Sequence, residues 1–243
     1  MKNLIKNLRI NLPSDAPFDS GQLHAAGVSN ALAAKYVASG WLRRLDRGIF
    51  QFTGETLDAD RTLRFLERRI PSLHLAAKTA LDRHGYRHNV SFDETIVVWA
   101  EERSRIPEWT HKVLRMRFGI HRLFELDLPF ECRVGRLADR PYGPLVSEPE
   151  YALLEMLSEV GVSQELDEAR GIMESMVRIR PSRIERAIRS CQMVKAVRLC
   201  VFWAEAFGFG WSERARAAVT EDKREGRWTG RLRDGSYLTL PAL

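Results

Sequence analysis

A chain of 243 residues with 44% apolar and 29% charged residues has room for one large domain or a few modest ones, and its composition is globular rather than disordered. No apolar run is long enough to span a bilayer and the N-terminus lacks a signal-peptide core, so the sequence predicts a cytoplasmic protein with no membrane partner. The net charge of +6 is uneven: residues 1–57 carry seven Lys/Arg against four acids, residues 58–135 fourteen against twelve, and residues 136–243 seventeen against sixteen.

Half of that excess lies in less than a quarter of the chain, which favours nucleic acid as the partner of the N-terminal segment. Met1–Ile10 sets Lys2, Lys6 and Arg9 among Leu4, Ile5 and Leu8, as in an amphipathic helix, and Asn11–Pro17 follows as a turn-rich connector. From Asp19 to Phe52 the pattern is two short helices and a basic hairpin. Asp19 or Ser20 caps the first helix, Gly27 and Val28 make the turn, and Ser29 caps a second helix that ends at Gly40. In the second helix Leu32, Ala33, Tyr36 and Val37 share one face and leave Asn30, Ala31, Ala34, Lys35 and Ala38 on the other. Asp46-Arg47-Gly48 turns the chain between Trp41–Leu45 and Ile49–Phe52. The expected core of this unit is Leu4, Leu8, Leu23, Leu32, Tyr36, Val37, Leu42, Leu45, Ile49 and Phe50.

Beyond residue 57 the sequence predicts helices over Asp58–Ile70 and Leu73–His84, closed by Pro71 and Gly85, and strands at Thr95–Trp99, Val113–Phe118 and Leu128–Val134. A small sheet is thus expected over about 91–134. Helices follow from a cap at Ser147, then over Ser163–Val177, Pro181–Cys191 and Met193–Phe207, and a polar hairpin closes the chain around Asp234-Gly235. The fold class is α+β, a winged helix-turn-helix over 1–57 and a larger mixed domain over 58–243 with helices over about 147–207.

The winged segment carries the clearest chemistry. Placed in the major groove, the helix would offer Ser29, Asn30, Ala34 and Lys35, with Asn30 hydrogen-bonding a base edge and Lys35 meeting a phosphate or guanine. The alanines Ala31, Ala34 and Ala38 would lie against thymine methyls. Arg43, Arg44 and Arg47 on the wing would take phosphates or a narrow minor groove. A protein-contact module with solvated arginines is the plainer alternative. A second basic run places Arg183, Arg186 and Arg189 along one side of a helix, as a solvated face or as a patch for nucleic acid or an acidic partner.

Other constellations are weaker. His84 and His88 are four apart but Gly85 interrupts the helix between them, so no metal site is predicted. Asp93, Glu94, Glu101 and Glu102 flank a strand as in metal-dependent nucleases, but Arg103 and Arg105 follow instead of the lysine such a site needs. Cys132, Cys191 and Cys200 suit buried thiols in a reducing compartment. No phosphate loop or nucleophile motif is present, and neither enzymatic activity nor a cofactor is expected.

The chain resembles the AbiEi-type antitoxins of bacterial abortive-infection (type IV) toxin–antitoxin systems over nearly its whole length. The run Ser29 to Ser39-Gly40 into Leu42-Arg43-Arg44-Leu45-Asp46-Arg47-Gly48-Ile49-Phe50 is similar to the family's recognition helix and wing. Leu73-His74-Leu75 leading to Ala80-Leu81 and His84-Gly85, Ser147 through Glu155, and Val194-Lys195 through Phe202-Trp203-Ala204-Glu205 to Trp211 resemble later shared segments in the same order. Ala31, Ala34 and Ala38 stand where the family usually carries Arg or Ser, a departure that bears on the operator rather than on the fold. The resemblance implies a repressor that binds double-stranded DNA at its own promoter. It also implies a C-terminal part that counteracts a nucleotidyltransferase-like toxin without forming a stable complex with it. The rivals are a stand-alone winged-helix regulator with a ligand-sensing or dimerising C-terminal domain, and a DNA nuclease.

Overall fold

The structure, a computed structural model, describes residues 2–87, 95–125 and 127–243, with side chains from Ile5 onward. His88, Asp93 and Glu94, together with the side chain of Leu4, lie outside the described residues. The N-terminal unit runs α1 (Lys2–Asn11), β1 (Phe18–Asp19), α2 (Ser20–Ala25), α3 (Asn30–Ala38), β2 (Leu42–Asp46) and β3 (Ile49–Phe52). Asp19 caps α2 through a reciprocal pair, accepting from the Gln22 N–H at 2.9 Å while the Gln22 side chain accepts from the Asp19 N–H at 3.0 Å. Gly27 (φ +83°) ends α2 in the left-handed conformation that an L side chain resists. The Ser29 hydroxyl accepts from the Leu32 N–H at 3.3 Å and opens α3.

The three short strands form a sheet in the order β1-β3-β2, antiparallel throughout, with Phe18 facing Phe50 and Leu42 facing Phe52. Because β3 is central, its residues are buried on both faces, and the two faces serve different cores. Phe50 and Phe52 join Leu8, Leu23, Ala33, Tyr36 and Leu42 in a small cluster under the helices, with Leu32 and Val37 packed at its rim. Ile49 and Leu45, expected in that same cluster, belong instead to the large core of the rest of the chain. Strand alternation sends Ile49 to the face opposite Phe50, where the second domain packs. The wing is thereby fastened to that domain.

Next come α4 (Ala59–Glu67), β4 (His74–Leu75), α5 (Ala77–Arg83), β5 (Ile96–Ala100), β6 (Met116–Ile120), β7 (Val134–Gly135) and β8 (Val146–Ser147). The second sheet has the order β6-β5-β4-β8-β7. Two expectations fail here. The helix predicted over Leu73–His84 starts only at Ala77, because Leu73–Ala76 is a buried segment whose middle, His74–Leu75, is a strand of the sheet, and periodicity cannot tell the two apart at that length. The strand predicted over Leu128–Val134 is a 3₁₀ turn at Phe130–Cys132 followed by the two-residue β7, since Pro129 sits at the turn's start. The sheet therefore also recruits strands outside 91–134, at His74–Leu75 and Val146–Ser147.

The remainder is α6 (Pro149–Glu159), α7 (Leu166–Glu174), α8 (Pro181–Ser190), α9 (Val194–Ala206), α10 (Ser212–Ala217), α11 (Glu221–Arg224) and the hairpin β9 (Trp228–Arg231) with β10 (Tyr237–Leu240). Ser147 does not cap α6. It is buried in β8, and its hydroxyl donates to Glu155 Oε1 at 2.7 Å, while Glu148 occupies the cap position. Glu155 also accepts from the Ala77 N–H at 2.8 Å, so one buried carboxylate ties α6 to the start of α5 and to β8. Helix α9 is held at its far side by buried Arg198, which donates to the carbonyls of Lys223, Glu225 and Gly226. No helix among the described residues is long and apolar enough to cross a membrane.

Candidate nucleic-acid interface

Helix α3 packs Ala33 and Tyr36 inward, which leaves Ser29, Asn30, Ala31, Ala34, Lys35 and Ala38 exposed together on its outer face. Ser29 is occupied by its cap, so its hydroxyl is committed to the helix start. Asn30 is held from α2: His24 Nε2 lies 3.0 Å from Asn30 Oδ1, an oxygen that only accepts, so Nε2 carries the proton. Nothing in the sequence marks His24 for this role, because a partner six residues away across a turn has no periodic signature. With one lone pair of its oxygen engaged by His24, Asn30 keeps its amide N–H groups as donors. Lys35 is the single cation on this face, and Ala31, Ala34 and Ala38 make the rest of it a shallow apolar strip.

The wing stands beside it. Arg43, Arg44 and Arg47 are exposed, and among the described residues none of them is in an ion pair with a carboxylate; Arg44 lies over the Phe50 ring at 5.7 Å. The nearest acid in sequence, Asp46, accepts from the Arg47 N–H at 2.7 Å and so is engaged with the turn backbone. Gly48 (φ +72°) supplies the left-handed residue of the turn, and its carbonyl accepts from the Ser20 N–H at 3.0 Å, which fixes the wing turn against the start of α2. Trp41, 47% exposed, lies where α3 passes into β2 and adds an aromatic surface that charge patterning alone did not single out.

The second basic run differs. Arg183, Arg186 and Arg189 do lie along the outer side of α8, with Ile184 and Ile188 buried opposite. Arg183 is 3.6 Å from Glu148, and Arg189 is 2.9 Å from Glu185. Arg186 borders a cleft of about 580 Å³ shared with Glu125, Asp127 and Glu185. At the head of this helix Arg180 bridges Glu150 at 2.7 Å and Glu148 at 2.5 Å. Burial opposes ionisation of Glu150, but the hydrogen bonds from Arg180 outweigh it and leave the carboxyl below its ordinary range. The Arg180 guanidinium is shifted further up, chiefly by the Glu150 hydrogen bonds.

Among the other flagged residues, Glu101 is taken up in a bidentate pair with Arg133, and His84 Nε2 lies 3.0 Å from the Ser147 carbonyl. Cys191 is buried and its thiol is pushed up to about 12 by desolvation, and Cys200 is buried and shifted upward as well. Cys132, expected to be buried, is exposed, because the 3₁₀ turn that replaces the predicted strand carries it to the surface.

Comparison with known proteins gives three results. Residues 1–92 match the family model described as "Transcriptional regulator, AbiEi antitoxin N-terminal domain", and residues 93–241 match that described as "Transcriptional regulator, AbiEi antitoxin, Type IV TA system". No curated protein matches. The crystal structure of the RV2827C protein from Mycobacterium tuberculosis is similar with a TM-score of 0.60 at 18% identity, over 93% of this chain and 81% of that one, a likeness of fold.

Proposed function

Because the chain belongs to the AbiEi antitoxin family of transcriptional regulators of type IV toxin–antitoxin systems, we propose that it is a cytoplasmic, non-enzymatic repressor of its own promoter and the antidote to a nucleotidyltransferase-like toxin. Residues 1–57 form the winged helix-turn-helix that reads double-stranded DNA, and residues 58–243 form the unit that counteracts the toxin without a stable complex. The observation that carries the DNA reading is the juxtaposition of an exposed α3 face with three wing arginines that have no ion-pair partner among the described residues. Helix α3 is nine residues long with small side chains outward, a shape that lets its backbone approach the floor of the major groove. Arg43, Arg44 and Arg47 supply the sequence-independent attraction through counterion release, while Asn30 and Lys35 supply the hydrogen bonds that select a base.

Two measurements test this reading. Protein titrated onto DNA from upstream of its own coding sequence is expected to bind more tightly than to a scrambled duplex, with strong salt dependence; equal affinity for both duplexes refutes operator recognition. Co-expression with a neighbouring nucleotidyltransferase-like gene is expected to relieve growth arrest. Relief that requires a co-purifying complex, or no relief, refutes the proposed antitoxin mechanism.

A further inference from the structure

Helix α4 carries Arg61 and Arg64 and ends on Arg68 at its C-cap, at spacings of three and four, a single row on its outer side, while Thr62, Leu63 and Leu66 are buried beneath it. At 1.5 Å per residue the row is about 10 Å long. It borders a cleft of about 370 Å³ also lined by Phe65, by Gln22 of α2 and by Tyr142, which is 79% exposed. Among the described residues no carboxylate lines this cleft, although Asp15 and Glu67 pair with Arg61 and Arg64 beside it.

The row leads toward the wing. The connector before β1 runs alongside α4 in the same direction. At one end the Asp58 N–H donates to the Asp15 carbonyl at 2.7 Å and Arg61 is 2.9 Å from the Asp15 carboxylate. At the other end Arg69 is 2.6 Å from the Asp19 carboxylate. Ser20, next along, is the residue that holds the Gly48 carbonyl of the wing turn. A chain of contacts through Asp15, Asp19 and Ser20 thus links the α4 arginines to the turn that carries Arg47.

We propose that Arg61, Arg64 and Arg68 form a second phosphate track that takes the DNA backbone where the duplex runs on past the wing. This proposal rests on the reading of the wing as a DNA contact and extends its footprint onto the first helix of the second domain. The row's length suits successive phosphates of one strand rather than a single anion, since each strand carries a charge per 3.4 Å of axis. Of the three guanidinium groups one is unpaired among the described residues and two are held by pairs that can open. Arg68 is in no ion pair among the described residues, and the Arg61–Asp15 pair is half-exposed on both sides and so contributes little to stability. Arg64 shares Glu67 with Arg136, which is 2.9 Å away, and with the Leu145 N–H, so Glu67 stays satisfied when Arg64 swings outward.

The test uses the full chain and two duplexes centred on the same upstream sequence, one of about 15 bp and one of about 35 bp, each titrated over a range of salt. The triple variant R61Q/R64Q/R68Q is expected to bind the short duplex as the wild type does. On the long duplex its log–log salt slope falls in magnitude by about 2 to 3, near 0.9 for each phosphate no longer neutralised. R68Q alone should lower it by about 1 with an unchanged melting temperature, which separates a missing charge from a damaged fold. A long-duplex slope equal to that of the wild type in both variants overturns the track. If R43A/R44A/R47A still loses binding in that case, the wing assignment stands and only the track has failed. A wild type without salt-dependent binding to either duplex removes both. If inorganic pyrophosphate raises the melting temperature of the wild type but not of R68Q while the long-duplex slopes agree, the cleft holds a small phosphorylated molecule, and the assignment to DNA is overturned.

Discussion

The wing and α8 each present three arginines, Arg43, Arg44 and Arg47 in one and Arg183, Arg186 and Arg189 in the other, but the fold surrounds them differently. On the wing the one local acid is spent on the turn backbone, and the guanidinium groups face solvent with no carboxylate in pairing distance among the described residues. On α8, Glu148 and Glu185 stand against Arg183 and Arg189, and Glu125 and Asp127 share the cleft beside Arg186. A duplex approaching α8 would have to displace or repel those carboxylates, and one approaching the wing would not. Equal counts of arginine thus do not make equal anion sites, and the field at the surface depends on which acids the tertiary fold delivers.

The largest expected effect comes from removing the uncompensated run. R43A/R44A/R47A should weaken binding to every duplex, specific or not, and lower the salt slope by up to about 2.7, from three phosphates left without a guanidinium at ~0.9 each. A slope unchanged from the wild type would place the DNA elsewhere. The complementary variant, E148Q/E185Q, unmasks the second run. It should raise non-specific DNA affinity and steepen the salt slope by about 1 to 2, as Arg183 and Arg189 become available. Arg180 keeps Glu150 in this variant, so the head of α8 stays anchored. If the slope does not move, charge compensation is not what distinguishes the two faces.

The same contrast separates features with a local signature from features without one. The face of α3 was legible in the sequence because a helix repeats every 3.6 residues, so Ala33 and Tyr36 fall inward and Asn30 and Lys35 outward without any tertiary information. The wing was legible because Asp46-Arg47-Gly48 meets the backbone demands of a tight turn. The Glu185–Arg189 pair lies within one helix turn, but Glu148 is thirty-five residues from Arg183, and no local rule connects them. Distance in sequence also hid the His24–Asn30 contact, the strand inside Leu73–Ala76, and the burial of Ile49 by the large core instead of its own. What failed to show in the sequence was pairing, and the two arginine runs are distinguished by pairing alone.

A smaller effect is expected within α3 itself. Asn30→Ala should leave the salt slope alone and shift the preferred base at one position, by about 1–3 kcal/mol of discrimination. His24→Ala releases Asn30 Oδ1 from its partner, so the side chain can turn to bring its oxygen and its N–H groups to a base edge together. The preference should then move toward adenine, which needs a donor and an acceptor together, and away from the acceptor-only edge of guanine. A binding-site selection that returns the same motif for wild type and both variants would remove Asn30 from base reading.

The smallest expected effect separates holding the helix from touching DNA. Ser29 heads the exposed face, yet its hydroxyl is 3.3 Å from the Leu32 N–H and closes the first turn of α3. If capping is its whole contribution, Ser29→Ala should cost about 1 kcal/mol of stability, and Ser29→Asn, which caps as well, should restore the melting temperature. Both should bind DNA like the wild type well below the melting transition, since affinity at the wing depends on arginines that neither substitution moves. Ser29→Asp caps equally well but sets a negative charge at the groove. Stability should therefore be kept while affinity falls and the salt slope loses about 1, as if one arginine had been cancelled. Should Ser29→Asp bind as the wild type does, the head of α3 lies away from the phosphates, and the wing alone would mark the DNA-facing side.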